Sequence, residues 1–94
     1  MNLRDLDATL GRAVVDELLA VYRTDLATRL EQLRAANGPE EVRRHAHGLR
    51  SGAASFGATA LAAAARDVES GGGSMAAVEH AASEVDAALA LMLG

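Results

Sequence analysis

The sequence contains no cysteine, which excludes a disulfide framework, a thiolate zinc site and a cysteine nucleophile. It has no tryptophan, and Tyr22 and Phe56 are its sole aromatic residues. That is little material for the apolar and aromatic lining of a small-molecule pocket. Isoleucine is absent too, and the valines never form an alternating, strand-like run. A single proline, Pro39, leaves long stretches free to be helical. No apolar run approaches the roughly 18–20 residues of a membrane span, so a membrane is not an expected partner. Basic residues are in the minority, nine against thirteen acidic, for a net charge of -4. Nonspecific nucleic-acid binding needs the opposite balance, because phosphates must be neutralised. The charged start Met1-Asn2-Leu3-Arg4-Asp5 does not fit a signal peptide, and a cytoplasmic location is the expectation by elimination.

What is present is a 94-residue chain, half of it hydrophobic. The expectation is one domain over residues 1–94. Much of the apolar fraction is alanine, which packs helices closely but shapes poor pockets. A binding or carrier module fits this composition better than a self-contained enzyme.

The pattern is helical throughout. A short helix is expected from Asn2 to about Leu10, capped by Asn2, with Leu3, Leu6 and Leu10 on one side. After Gly11 a long helix runs from about Arg12 to Ala36, with Val14, Val15, Leu18, Leu19, Tyr22, Leu26, Leu30 and Leu33 as its apolar stripe. Asn37-Gly38-Pro39 ends it. The next helix starts at Pro39, whose missing N–H is not needed there, and Glu40 and Glu41 suit the positive end of its dipole. It extends to about Ser55, with Val42, Ala46, Leu49, Ala53 and Phe56 facing inward. Gly57 marks a tight bend before a helix from about Ala58 to Glu69, with Leu61, Ala64, Ala65 and Val68 inside. Gly71-Gly72-Gly73 is a turn, and Ser74 caps a last helix whose stripe is Met75, Val78, Ala82, Val85, Leu89 and Met92. That stripe suits core packing, with a coiled-coil dimer seam as the alternative. Amphipathic helices joined by short turns bury their stripes together. The expected fold is all-α: an antiparallel four-helix up-and-down bundle with a short extra N-terminal helix.

On a helical wheel His47 lies roughly 140° from the inward stripe of its helix. Arg43, Arg44, Arg50 and Ser51 are its neighbours at three and four residues. An exposed imidazole thus sits among three guanidinium groups and a hydroxyl. The nearby cations are expected to favour the neutral ring, whose lone pair is nucleophilic. Were it to accept a phosphoryl group, the same arginines would serve as counter-charges. Gly48, Gly52, Ala54 and Ser55 keep the surrounding surface low, which suits close approach of another protein. Gly48 and Gly52 each cost a helix about 1 kcal/mol relative to alanine, so a reason other than helix stability is expected, such as close packing or docking.

The stretch Ala46-His47-Gly48-Leu49-Arg50-Ser51-Gly52-Ala53, followed by Phe56-Gly57-Ala58, Leu61 and Val68-Glu69, resembles the signature of histidine-containing phosphotransfer domains. Tyr22, Leu26, Leu30 and Leu33 follow the family's upstream pattern, so the resemblance covers nearly the whole chain. It implies a four-helix bundle that shuttles phosphoryl groups in a two-component phosphorelay. His47 takes the place of the phospho-accepting histidine, Arg50 the family's phosphoryl-assisting lysine position, and Ser51 a small-residue position that is often glycine. Glu69 takes a position near the site that is acidic or amide-bearing in relatives. Arg50 is bulkier and planar compared with lysine, and Val68 replaces the usual leucine. The implied reaction is reversible transfer between an aspartyl phosphate on a receiver domain and His47, with Nε2 the more projecting nitrogen. Glu69, if it reaches the other nitrogen, fixes the tautomer.

The partners so implied are the receiver domains of response regulators or hybrid kinases, with this chain a monomer. No bound cofactor is expected. The Mg²⁺ belongs to the receiver, since this chain shows no clustered carboxylates to hold it, and the lack of a glycine-rich phosphate loop argues against direct use of ATP. His45, roughly 160° round the wheel from His47, is expected at the core boundary, and His80 on the surface. Arg23, Arg29 and Arg34 are expected to be solvated charges. Two other functions fit the helices: a non-catalytic adaptor binding receiver or kinase domains, and the phospho-accepting substrate domain of a histidine kinase. The chain ends at Gly94 without a kinase or dimerisation segment, so a free-standing carrier is preferred.

Overall fold

The computed structural model of the protein describes residues 11–93. The expected helix over residues 2–10 lies outside them. Four helices follow one another: α1 (Arg12–Arg34), α2 (Gly38–Ser55), α3 (Thr59–Glu69) and α4 (Met75–Leu93). The described residues hold no strand, and no helix among them is long and apolar enough to cross a membrane. Each helix packs on its neighbour in sequence, and α1 closes the ring against α4.

The turns set the geometry. At the end of α2, Gly57 has φ +74° and its N–H bonds to the Ala54 carbonyl, while the Ala58 N–H reaches the Ala53 carbonyl. Gly71, at φ +87°, repeats this pattern at the end of α3: its N–H bonds to the Val68 carbonyl, and the Gly72 N–H to that of Asp67. Both are Schellman motifs, in which a left-handed residue lets two orphan carbonyls find donors. Glycine takes that conformation without a Cβ penalty. The second motif stops α3 just after Glu69. The Ser74 side chain then caps α4, accepting the Ala77 N–H at 3.1 Å.

The core is made of Leu26, Leu33, Ala46, Leu49, Ala53, Leu61, Ala65, Val78, Ala81 and Ala82, with a second cluster of Val15, Leu19, Tyr22 and Leu89. The α4 stripe packs inside the bundle through Val78, Ala82 and Leu89. Two residues expected in the α1 stripe stand outside it: Val14 is 43% and Leu18 39% exposed. Each precedes a buried residue, Val15 and Leu19, and a step of about 100° carries it from the inward line onto the flank. Met92, the end of the α4 stripe, is likewise 41% exposed. The helix of His47 begins at Gly38 rather than Pro39, with Gly38 at φ +82°.

Contacts between α1 and α4 join the start of one to the end of the other. Arg12 donates to the Met92 carbonyl, Arg23 Nε to Asp86 Oδ1 at 2.6 Å, and Arg34 to Glu79. The hydrogen bond from Arg23 holds the Asp86 carboxyl below its usual range, although partial burial opposes this. A carboxyl lowered in the folded state adds stability above its unfolded range and loses it as pH falls through the folded value. Acidification below about pH 4 is therefore expected to weaken the α1–α4 contact. The pair is half exposed, so the effect is small. Thermal melts from pH 7 to pH 3 should show the wild type losing slightly more than Asp86→Asn; equal losses would count against the bond.

Candidate functional site

His47 stands at the middle of α2, two residues before Leu49. Two helical steps turn the chain by about 200°, so a residue locked inward at 49 leaves 47 facing out. Leu49 is 1% exposed, and the His47 side chain is 57% exposed. Glu69 comes from α3, and the turn at Gly57 explains why the two meet. His47 lies about ten residues before that turn, and Glu69 about ten residues into α3, so each is roughly 15 Å of helix from it.

Glu69 Oε1 lies 3.0 Å from His47 Nδ1. Arg50 Nη2 lies 3.1 Å from the same nitrogen, and Arg50 Nε 3.2 Å from Glu69 Oε2. The three side chains form a closed triangle, with Glu69 the least exposed of them. Its Oε2 is shut off from solvent and has no aligned hydrogen bond among the described residues.

The two contacts at Nδ1 select opposite tautomers. A carboxylate only accepts, so Glu69 requires the hydrogen on Nδ1; a guanidinium only donates, so Arg50 requires it on Nε2. A carboxylate–N–H bond is charge-assisted on the acceptor side, and Arg50 already has the Glu69 carboxylate as partner. The Glu69 bond therefore prevails. With the hydrogen on Nδ1, Nε2, which has no hydrogen-bond partner among the described residues, keeps the bare lone pair. What the arrangement offers chemically is an outward nucleophile with a carboxylate behind it and a guanidinium beside it.

The remaining candidates divide. Ser51 is exposed, and its carbonyl accepts the Ser55 hydroxyl at 3.1 Å. Ala54 is exposed and lines a cleft between α2 and α3 with Arg50, Ser51, Thr59 and Arg66. Arg43 and Arg44 are exposed near the start of α2 and make no hydrogen bond to His47 among the described residues. Gly48 and Gly52 are partly buried and turn toward α1. A Cβ at position 52 would touch the Tyr22 ring at 3.6 Å, and one at 48 would overlap the Arg29 guanidinium. Tyr22 stacks on Phe56 with centroids 4.1 Å apart. Burial pushes the Tyr22 phenol above its usual range; the Asp25 carboxylate adds to this and Arg29 opposes it. His45 is half-buried, and exposed His80 is paired through Nε2 with Glu84 Oε1 at 3.0 Å.

Arg29, over Gly48, and Arg66, lining the cleft with Arg50, stand beside these residues and drew no site role from the sequence. Arg66 stands on α3, one turn before Glu69. For Arg29 a signal existed: Gly48, an unexplained glycine in mid-helix, is where its guanidinium lies.

The fold and site define a class: an all-helical domain presenting one exposed histidine backed by a carboxylate from the adjoining helix. The model of the Hpt domain family matches residues 17–93, and the chain belongs to that family. Hpt domains serve histidine phosphotransfer in two-component phosphorelays, working with receiver and kinase domains. No curated protein and no solved structure shows significant similarity to the chain.

Proposed function

We propose that the protein carries a phosphoryl group on His47 Nε2, passing it reversibly between receiver-domain aspartates. The observation that supports this most is the 3.0 Å contact between His47 Nδ1 and Glu69 on an outward-facing ring. In the forward step the Nε2 lone pair attacks the phosphorus of an aspartyl phosphate. The N–P bond forms as the P–O bond to the aspartate breaks, and that bond's electron pair leaves on the carboxylate. The ring becomes a cation, since Nδ1 keeps its hydrogen, and Glu69 stands against the positive charge that develops. The step runs backward by the same atoms. Transfer of this kind is catalysed almost wholly by positioning and electrostatics, which suits a carrier without an ATP site of its own. Arg50 then turns donors toward the phosphoryl oxygens, with Ser51 beside it and Arg43 and Arg44 adding longer-range positive charge.

The frame for this chemistry is a single domain over residues 1–94, an up-and-down antiparallel bundle. The three contacts that run α1 against α4 support that topology. The partners are cytoplasmic receiver domains of response regulators or hybrid kinases, which supply the Mg²⁺. Low side chains at Ala54 and Ser55 admit them, whereas Gly48 and Gly52 face α1 beneath Arg29 and Tyr22; the protein acts as a monomer.

Incubation with a phosphorylated receiver domain should move label onto His47. Label arriving solely from a kinase domain with ATP would instead identify a kinase substrate domain, and label from neither an adaptor. Glu69→Ala should slow transfer about tenfold or more, because a hydrogen bond to a charged group is worth roughly 1.5–3 kcal/mol and about 1.4 kcal/mol is a factor of ten. Glu69→Gln retains an acceptor without the charge and should fall between. Wild-type rates in Glu69→Ala would remove Glu69 from the mechanism.

A further inference from the structure

Arg29 sits on α1, yet its side chain is spent on α2. Its Nε donates to Asp25 Oδ2 at 2.8 Å, one helical turn back on α1. Were this an ordinary pair within a helix, the guanidinium would point into water. Instead it lies over Gly48, with Cζ 3.5 Å from where a Cβ at that position would stand, and Nη1 nearer still. Gly48 follows His47 directly. A side chain at 48 would displace the guanidinium, so the helix-weakening glycine has a specific occupant. The Arg29 side chain remains 38% exposed, and its two Nη groups have no hydrogen-bond partner among the described residues. The Nη edge is the part of an arginine that matches two oxygens of a phosphoryl group.

The direction matters as well. From His47, one residue forward on the helix is about 100° in one sense, and three residues forward, to Arg50, is about 60° in the other. Arg50 reaches toward α3, where Glu69 holds it; Arg29 comes from α1, where Asp25 holds it. Two guanidinium groups, each fixed by its own carboxylate, thus stand on opposite flanks of the imidazole.

We propose that Arg29 is the second phosphoryl-binding cation of this site, held over Gly48 by Asp25 so that its Nη edge takes phosphoryl oxygens as they pass to and from His47 Nε2. This rests on the reading of His47 as the acceptor. No proton moves through Arg29; the P–O and N–P bonds exchange as described above, and the guanidinium offsets charge spread over the transferring oxygens.

The test is labelling by phosphoramidate, a small donor with no protein surface to dock, alongside labelling by a phosphorylated receiver. Arg29→Ala is expected to slow phosphoramidate labelling about tenfold, with Arg29→Lys, which keeps the charge without the fork, in between. Gly48→Ala supplies the variant that cannot be dismissed as misfolding. Alanine favours the helix, so its melting temperature should hold or rise while labelling slows as in Arg29→Ala. Labelling of Arg29→Ala at the wild-type rate overturns the proposal. So does a defect seen with the receiver alone, which would make Arg29 a docking residue. If the wild type takes no label, or His47→Gln keeps it, the acceptor reading itself has failed and Arg29 falls with it; a labelled wild type with an unaffected Arg29→Ala removes Arg29 alone.

Discussion

His47→Gln is expected to end phosphoryl labelling completely while the helical circular-dichroism spectrum stays that of the wild type. The ring is exposed and contributes nothing to the core. Glutamine is a good helix former of similar length, and its amide can still donate to Glu69. A surface change of this kind moves stability by about 0.5 kcal/mol or less. What it removes is the sole nitrogen lone pair in the site. The protein contains its own controls, because His45 and His80 remain. His80 presents Nε2 to Glu84, so the nitrogen that projects farthest is engaged, and among the described residues no carboxylate stands behind Nδ1. His45 is half-buried on another side of α2. Labelling with a phosphorylated receiver should give an alkali-stable, acid-labile signal, that of phosphohistidine, in the wild type and none in the variant. Retained signal in His47→Gln would place the acceptor on another histidine and dissolve the arrangement with Glu69 and Arg50.

The helices were legible because alanine, leucine and valine recur every three or four residues between glycine turns, and nearly every inward position on α2 and α3 follows from that spacing. The exceptions are instructive. Val14 and Leu18 belong to the same apolar run as Val15 and Leu19, but a stripe two residues wide exceeds what the neighbouring helices cover, and the run alone does not tell which edge is left outside. Within the site, Arg50 and Ser51 are legible because they are local, one turn from His47 on the same helix. Glu69 was reachable through resemblance. Its contact with Nδ1 depends on matched distances along α2 and α3 to the Gly57 turn, which residue spacing by itself does not give. Gly48 signalled that something lies over it, but not that the occupant is Arg29, because that placement is a property of how α1 crosses α2. The charge pattern of Arg29, with Asp25 one turn away, is that of any solvated helix face. The nine basic residues are all arginines. Wherever the site uses a cation, it therefore uses a planar fork able to bind a carboxylate on one edge and phosphoryl oxygens on the other.

The outward direction of His47 is enforced from inside the bundle, and Leu49→Ala exposes that dependence. Leu49 is 1% exposed in a core where many partners are alanines, namely Ala46, Ala53, Ala65, Ala81 and Ala82. With so few large side chains, each leucine supplies a large share of the buried apolar area. Removing three carbons from such a site costs about 2–5 kcal/mol, transfer and cavity together. A domain this small has about 5–10 kcal/mol in total, so roughly half of its stability is at stake. The melting temperature should fall by roughly 10–20 °C, and urea should unfold the variant at a clearly lower midpoint. Leu91→Ala, at a residue 86% exposed, should leave both unchanged. The link to function appears at low temperature. Molecules of Leu49→Ala that remain folded keep His47 on the opposite side of α2 with Arg50 and Glu69 beside it, so their transfer rate should match the wild type. A variant as stable as the wild type would mean that position 49 does not face the core. His47, fixed about 200° from it on the same helix, would then not face a partner.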